Sequence, residues 1–466
     1  MCSNQDISNA VSPQWPPSID AAEDLSQHLE DCPHSPSPSM ATGSFYTDTR
    51  SSLSAFPSAR SAQHPRLPQE MIDSIIDHHH ADPAMLRTCA LVSRSWVHAS
   101  QYHLFYSITI DGPATLDRFI AMISKSRLRS LIRDLRIKGD PNTRRPQNWI
   151  RKLLQKQLSN RLPRLHTLRI ETIEWSSILG VDKDGFRVFT QFSTVGTLHL
   201  FGVEFPDIDT FRRLVLSFPH LSHLFLDTVS WDSCKTHGML PVANMTPRHV
   251  APDRIEDITL ANRRLQLASV VLGRSCDTES LIPWLQRTSL DLCSVELPSV
   301  QFEEATLAGR FLKGLGSSLQ YLRLGCKFDT AYDMATHIGE RIDLTQNSGL
   351  RTLNLVVSDL QRHVLPWVSP LLFQIANMNV GRIVIDIWLY DPNQLQTEPW
   401  KRIHDHLKTL TRRSVREVIF VHRGLLGERE ARRALDGRFP DLVGHALQMQ
   451  YRPASYVMNW RPKHLR

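Results

Sequence analysis

The chain has 466 residues, 41% hydrophobic and 22% charged, the make-up of an ordinary globular protein of about three domains, or fewer if part of it repeats. No run of about 20 apolar residues is present to cross a membrane, and the opening MCSNQDISNA has neither a basic start nor an apolar core, so no secretory signal is expected. The net charge of +7 is uneven: residues 1–60 hold seven acids against Arg50 and Arg60, which leaves +12 on the remainder, spread out rather than clustered with aromatics, and this argues against nucleic acid as the partner.

Residues 1–63 are rich in Ser, Pro and Asp, with PHSPSPSM at 33–40, and hold no amphipathic period; a disordered leader is expected. Ser35 and Ser37 each precede a proline and are candidate phosphorylation sites.

Residues 64–110 read as a small helical domain. Pro68 suits a helix start, where its missing N–H would be unpaired anyway. Glu70 complements the positive end of the helix dipole. Ile72, Ile75 and Ile76 then share one face. Asp82-Pro83 is a second start, with Asp as N-cap. An apolar stripe follows through Leu86, Cys89 and Val92 to Trp96, and Ala99 to Leu104 extends or restarts the helix before the β-prone stretch at 107–110. Two such helices cannot bury all of this apolar surface themselves, which implies a partner. His78, His79 and His80 are consecutive, so on a regular helix they point about 100° apart and cannot converge on one metal ion.

As an ordered string, Leu67-Pro68, Ile72, Ile75, Ile76, Leu86, Cys89, Leu91, Val92 and Trp96 resembles the F-box, the motif that docks a protein onto the adaptor of a cullin-type ubiquitin ligase. The whole layout resembles F-box-like proteins of mushroom-forming fungi, in which a Ser/Pro-rich leader precedes the motif and a leucine-rich-repeat-like region follows it. The resemblance implies that Leu67 and Pro68 touch the adaptor, with Ile72, Ile76, Leu86, Cys89, Leu91, Val92 and Trp96 supplying further apolar surface. His79 departs from the pattern: an apolar residue would continue the stripe there. A buried imidazole without a partner costs about 1–3 kcal/mol, so either the helix frays or adaptor affinity falls.

From 111 to 424 a pattern apolar-x-x-apolar-x-apolar recurs, at Ile132-Leu135-Ile137, Leu165-Leu168-Ile170, Val195-Leu198-Leu200 and Leu221-Leu224-Leu226, then at Leu319-Leu322-Leu324, Leu350-Leu353-Leu355, Val380-Ile383-Ile385 and Val415-Val418-Phe420. The middle residues are 33, 30 and 26 apart in the first group and 31, 30 and 35 apart in the second. The step of 98 between the groups leaves room for two degenerate units, expected at Ile255-Ile258-Leu260 and around Leu290-Leu292. A period near 30 signals stacked units. Helical stripes such as Ile208, Phe211, Leu214, Val215 and Trp400, Ile403, Leu407, Leu410 fall between the strand-like ends. The expected fold is therefore α/β: a small F-box-like helical domain, then an irregular leucine-rich-repeat-like solenoid. Leu116, Phe119, Ile120 and Ile123 suggest a linking helix, and 425–466 a C-terminal cap with a charged helix near Glu428–Leu435.

The seven cysteines show no zinc or redox spacing, which fits a reducing cytoplasm or nucleus. No nucleotide-binding, hydrolase or kinase motif is present, and Asp207 with Asp209, or Glu303 with Glu304, are weak carboxylate pairs, the former a helix start and the latter a solvated helix face. Neither an enzyme, nor a cofactor, nor a metal is expected. The resemblance implies a ligase subunit whose partners are the adaptor protein and a protein substrate, held on outward strand positions including Arg169, His199, Phe225, Arg323 and Asn354. A non-catalytic repeat scaffold that never meets a ligase is the alternative, and a basic solenoid on RNA or DNA would betray itself by steep salt dependence.

Overall fold

A computed structural model describes residues 67–125, 127–140, 148–155, 161–175, 187–190, 192–231, 265–288, 291–327, 332–357, 366–444 and 447–451. The leader, Ser35, Ser37, the expected unit at 255–260, Leu290 and the part of the expected cap beyond 451 lie outside these residues. The chain divides into two compact units, the second of which takes in 137–160 and everything from Leu165 onward.

The first unit begins with α1 (Gln69–His78), α2 (Pro83–Val92) and α3 (Arg94–Tyr106). Asp82 caps α2 as expected, accepting the N–H groups of Ala84 and Met85 at 3.0 Å each. The stripe expected to run on to Trp96 is broken. Ser93 is fully extended (φ −157°) and its hydroxyl accepts the Ser95 N–H, so it ends α2 and starts α3. The module thus has three helices, and Ile72, Ile76, Leu86 and Cys89 form a core against which Trp96, Ala99 and Leu104 of α3 pack. His79 resolves toward the simpler alternative: α1 stops there, and the ring stays partly exposed. The unit runs past 110, through β1 (Ser107–Ile110), α4 (Pro113–Lys125) with Leu116, Phe119 and Ile123 buried and Ile120 half-buried, to the start of β2 (Asp134–Lys138).

The second unit is built on a parallel sheet. Its strands are β3 (Thr167–Glu171), β4 (Thr197–Phe201), β5 (Glu204–Phe205), β6 (His223–Asp227), β7 (Ser230–Trp231), β8 (Ser269–Leu272), β9 (Ser294–Gln301), β10 (Tyr321–Lys327), β11 (Thr352–Val357), β12 (Arg382–Trp388), β13 (Glu417–Arg423) and β14 (Leu447–Tyr451). Apart from the short β5–β7 pair, they lie side by side in chain order. The pairing is in step with the sequence pattern: Leu168, Leu198, Leu224, Val270, Val295, Leu322, Leu353, Ile383, Val418 and Leu447 each face the next. Leu267-Val270-Leu272 and Leu292-Val295-Leu297 are two units between the groups; the second begins at Leu292 of the expected Leu290-Leu292 position, and the expected 255–260 lies outside the described residues. The last pairing also carries the sheet into the stretch read as a cap.

A backbone device repeats at the start of the strands. One carbonyl accepts two successive N–H groups from the next unit: His166 O from Gly196 and Thr197, Cys293 O from Gln320 and Tyr321, Gln320 O from Arg351 and Thr352, Gly381 O from Arg416 and Glu417. Side chains reinforce the stacking. Buried Asn347 donates to the carbonyls of Leu312 (2.7 Å) and Gly316 (3.0 Å), and Gln374 donates to those of Gly339 and Ile342. Gly349 permits the contact: a Cβ there would lie 2.0 Å from the Ser317 carbonyl oxygen.

Helices α5 (Asn148–Gln155), α6 (Arg187–Thr190), α7 (Ile208–Leu216), α8 (Thr278–Thr288), α9 (Ala305–Leu315), α10 (Tyr332–Arg341), α11 (Val368–Gln374), α12 (Glu398–Arg413) and α13 (Glu428–Arg438) alternate with the strands. Stripes among them are buried, as with Phe211, Leu214 and Val215 on α7 and Trp400, Ile403, Leu407 and Leu410 on α12. Asp207 caps α7 through Thr210 N–H at 2.6 Å, as expected. Glu304 is not the solvated carboxylate expected, because it accepts from Thr278 Oγ1 and from Gln301 N–H. Among the described residues no helix is long and apolar enough to cross a membrane.

Candidate docking face

Helix α1 has two apolar rows about 100° apart. Ile72 and Ile76 turn into the core at 6% and 0% exposure, whereas Met71 and Ile75, spaced by four, remain 52% and 37% exposed, as does Leu67, two residues before the helix, at 49%. Ile75 therefore leaves the inward stripe that the sequence suggested. At the end of α2, Leu91 and Val92 stand 69% and 63% exposed, and Met85 of the same helix is also exposed.

Two side-chain ties align the helices. Gln69 Nε2 donates to the Ser95 carbonyl at 3.3 Å and to Asp73 Oδ1 at 2.8 Å. Eight residues farther along both helices, Asp77 Oδ1 meets His103 Nε2 at 2.6 Å. Residue pairs 69–95 and 77–103 share one offset, so α1 and α3 run side by side in the same direction. The first tie sets Leu67 and Pro68 at the same end of the module as the α2–α3 elbow, which carries Leu91 and Val92.

The nine residues expected to meet an adaptor thus divide. Leu67, Pro68, Leu91 and Val92 are exposed at one end; Ile72, Ile76, Leu86 and Cys89 are committed to the module's own core; Trp96 is half-buried against it. Met71, Ile75 and Met85 are exposed apolar residues that the sequence reading left out of the contact set. The four-residue spacing of Met71 and Ile75 was the signal for the first two. The histidine run does not gather: His78 and His79 rings meet edge to face at 5.4 Å, and His80 Nδ1 turns to the Asp77 carbonyl. Among the described residues no group of His, Cys, Asp or Glu is arranged to hold a metal ion.

On the second unit, the outward strand positions expected to face solvent are largely engaged with one another. Arg169, His199 and Phe225 are in register on β3, β4 and β6. His199 stacks on Phe225 at 4.1 Å with planes 5° apart. Burial, then the nearby Arg169 and His223 charges, hold the His199 imidazole well below its ordinary pKa. Farther on, Glu296, Arg323 and Asn354 share the same row of β9, β10 and β11. Arg323 reaches Glu296 at 3.5 Å and Asp386 at 3.2 Å, Arg423 grips Asp386 with two bonds of 2.7 and 2.8 Å, and Asn354 Nδ2 donates to the Tyr321 hydroxyl at 3.4 Å. Arg323 is thus tied into a side-chain network rather than held out as a free contact.

No protein-family model matches the chain, and no curated protein does. Among solved structures, a Bacteroides fragilis protein is similar at 14% identity over 53% of this chain and 67% of that one, with a TM-score of 0.32. So remote a likeness has no bearing on function. Cys276 and Cys326 read as packing residues: burial pushes the Cys276 thiol up to about 11 and raises Cys326 as well.

Proposed function

We propose that the three-helix module is an F-box-like docking domain and that the parallel strand–helix array is a leucine-rich-repeat-like solenoid, together making a substrate receptor of a cullin-type ubiquitin ligase. The ligase adaptor docks on Leu67, Pro68, Met71, Leu91 and Val92; a protein substrate is held by the solenoid. The protein itself does no chemistry but raises the local concentration of substrate lysines near a charged ubiquitin carrier. The observation that supports this reading is the exposed apolar set at the end of the module fixed by the Gln69–Ser95 tie. Burying one such side chain contributes about 1.5–3 kcal/mol, so four or five suffice for a micromolar contact once ordering costs are met.

The test is titration of the intact protein with purified ligase adaptor. Wild type binds, and Leu67→Ala with Pro68→Ala, or Leu91→Asp, lowers affinity at least about tenfold. Equal affinity of all three proteins would refute the docking face. His79→Leu leaves affinity unchanged, because His79 closes α1 at the end away from Leu67.

One observation favours the alternative of a scaffold without a ligase: the core of Ile72, Ile76, Leu86 and Cys89 is complete within the module, which then needs no partner to fold. On that reading, wild type shows no adaptor binding.

A further inference from the structure

The network on β9–β13 contains two carboxylates and two guanidiniums that are almost wholly withdrawn from water. Glu296 and Asp386 are 1% and 3% exposed, and the side chains of Arg323 and Arg423 are 13% and 12% exposed. The two acids are served unequally. Asp386 receives both short bonds from Arg423 and a third from Arg323. Glu296 has the long 3.5 Å contact to the same Arg323 and a hydrogen bond donated by the Tyr321 hydroxyl, while its Oε1 has no hydrogen-bond partner among the described residues. Among the described residues the neighbouring strand positions in this row offer no further cation: β8 presents Ser269 and Val271 in register with Ser294 and Glu296, and β11 presents Asn354. One guanidinium is therefore shared between two acids, and Asp386 holds it closer.

We propose that Glu296 is the proton-operated end of a brace across β9 to β13, such that giving up one proton to solvent loosens β9 against β10. The physical cause is the cost of an ionised carboxylate, buried with one unpaired oxygen, against a guanidinium already committed elsewhere. A neutral carboxyl in the same place carries a much smaller cost. Consistent with this, burial raises the Glu296 carboxyl to about 7, against the opposing pull of Arg323 and Tyr321.

The folded value lies above the unfolded one, so the closed sheet binds the proton more tightly than an opened one. Stability of this segment is greatest at low pH and falls as pH rises toward and through about 7. Between pH 6 and pH 8 the local opening equilibrium should rise about tenfold. The inference concerns the sheet alone and stands whether or not an adaptor binds the helical module.

Hydrogen exchange of the intact protein, read by mass spectrometry and corrected for intrinsic rates, tests it. Peptides covering Ser294–Gln301 and Tyr321–Lys327 should lose about tenfold in protection from pH 6 to pH 8, while those covering Thr197–Phe201 should not. Glu296→Gln should flatten the pH response of the first two peptides and leave the third as it was. A response shared by all strands, or one that persists in Glu296→Gln, would overturn the brace. If Glu296→Gln does not fold, the contrast among wild-type peptides still decides between the two outcomes.

Discussion

In the helical unit, the stretch from Leu67 to Tyr102 leaves seven large apolar side chains in solvent; the much longer strand unit leaves four, Phe373, Tyr390, Leu425 and Val443, among the described residues. The strand unit can cover itself because each turn of chain is both roof and floor for its neighbours, so apolar anchors such as Leu353 and Leu355 meet buried helix stripes. Three short helices have no such neighbours. Once Ile72, Ile76, Leu86 and Cys89 have filled the interior, the apolar row one hundred degrees away has nothing within the module to lie against. What separates the units is thus less composition than whether the architecture supplies a second surface for every first one.

The strongest way to break this comparison is in the strand unit's core. Trp400, fully buried beside Phe420 and Phe439, should cost about 3–5 kcal/mol on substitution to Ala. Urea unfolding should show the sheet transition moving while adaptor affinity is retained; joint loss of both would tie the two functions together. A finer contrast uses adjacent residues of α1. Ile76→Ala should lower the unfolding free energy by about 2–5 kcal/mol, whereas Ile75→Ala should change it by less than about 0.5 kcal/mol. Equal losses would mean that Ile75 is not on the open face. Asp82→Ala removes a double N-cap and should cost about 1 kcal/mol, measurable as a lower melting temperature.

The smallest effect is a pH slope. His199 has its folded pKa held below the unfolded value of 6.5, so the unfolded chain takes up the proton first. Its contribution to stability is fully present above 6.5 and is lost as pH falls toward the folded value. Denaturant midpoints of wild type and His199→Gln should diverge below pH 6.5 with wild type losing more, and parallel curves would contradict the burial of that ring.

The repeated anchors were legible because a parallel strand rung needs an apolar residue at a constant place, and eight of the patterns stand out on spacing alone. Val270 was not legible, since it follows Leu224 at an interval of 46, whereas Val295, 27 before Leu322, keeps the rhythm and lies close to the unit expected around Leu290-Leu292. At the α2–α3 break, Ser93 lies inside the stripe read as running from Leu86 to Trp96, and a serine there gives no sign of a break until its hydroxyl is seen to capture a backbone N–H. The outward strand residues were named correctly as a row but misjudged as free, because Glu296 and Asp386 come from strands 90 residues apart in sequence and only the stacking brings them to one guanidinium.

The stretch between β6 and β8 carries a consequence for how such a chain tolerates change. Leu224 and Val270 remain opposite each other although 46 positions separate them, against 25 for the next rung. The spacing of rungs is set by their edges and not by the length of thread between them. Material can be added or cut there without sliding any other rung, which makes that interval the natural place for the protein to acquire a trait its neighbours lack.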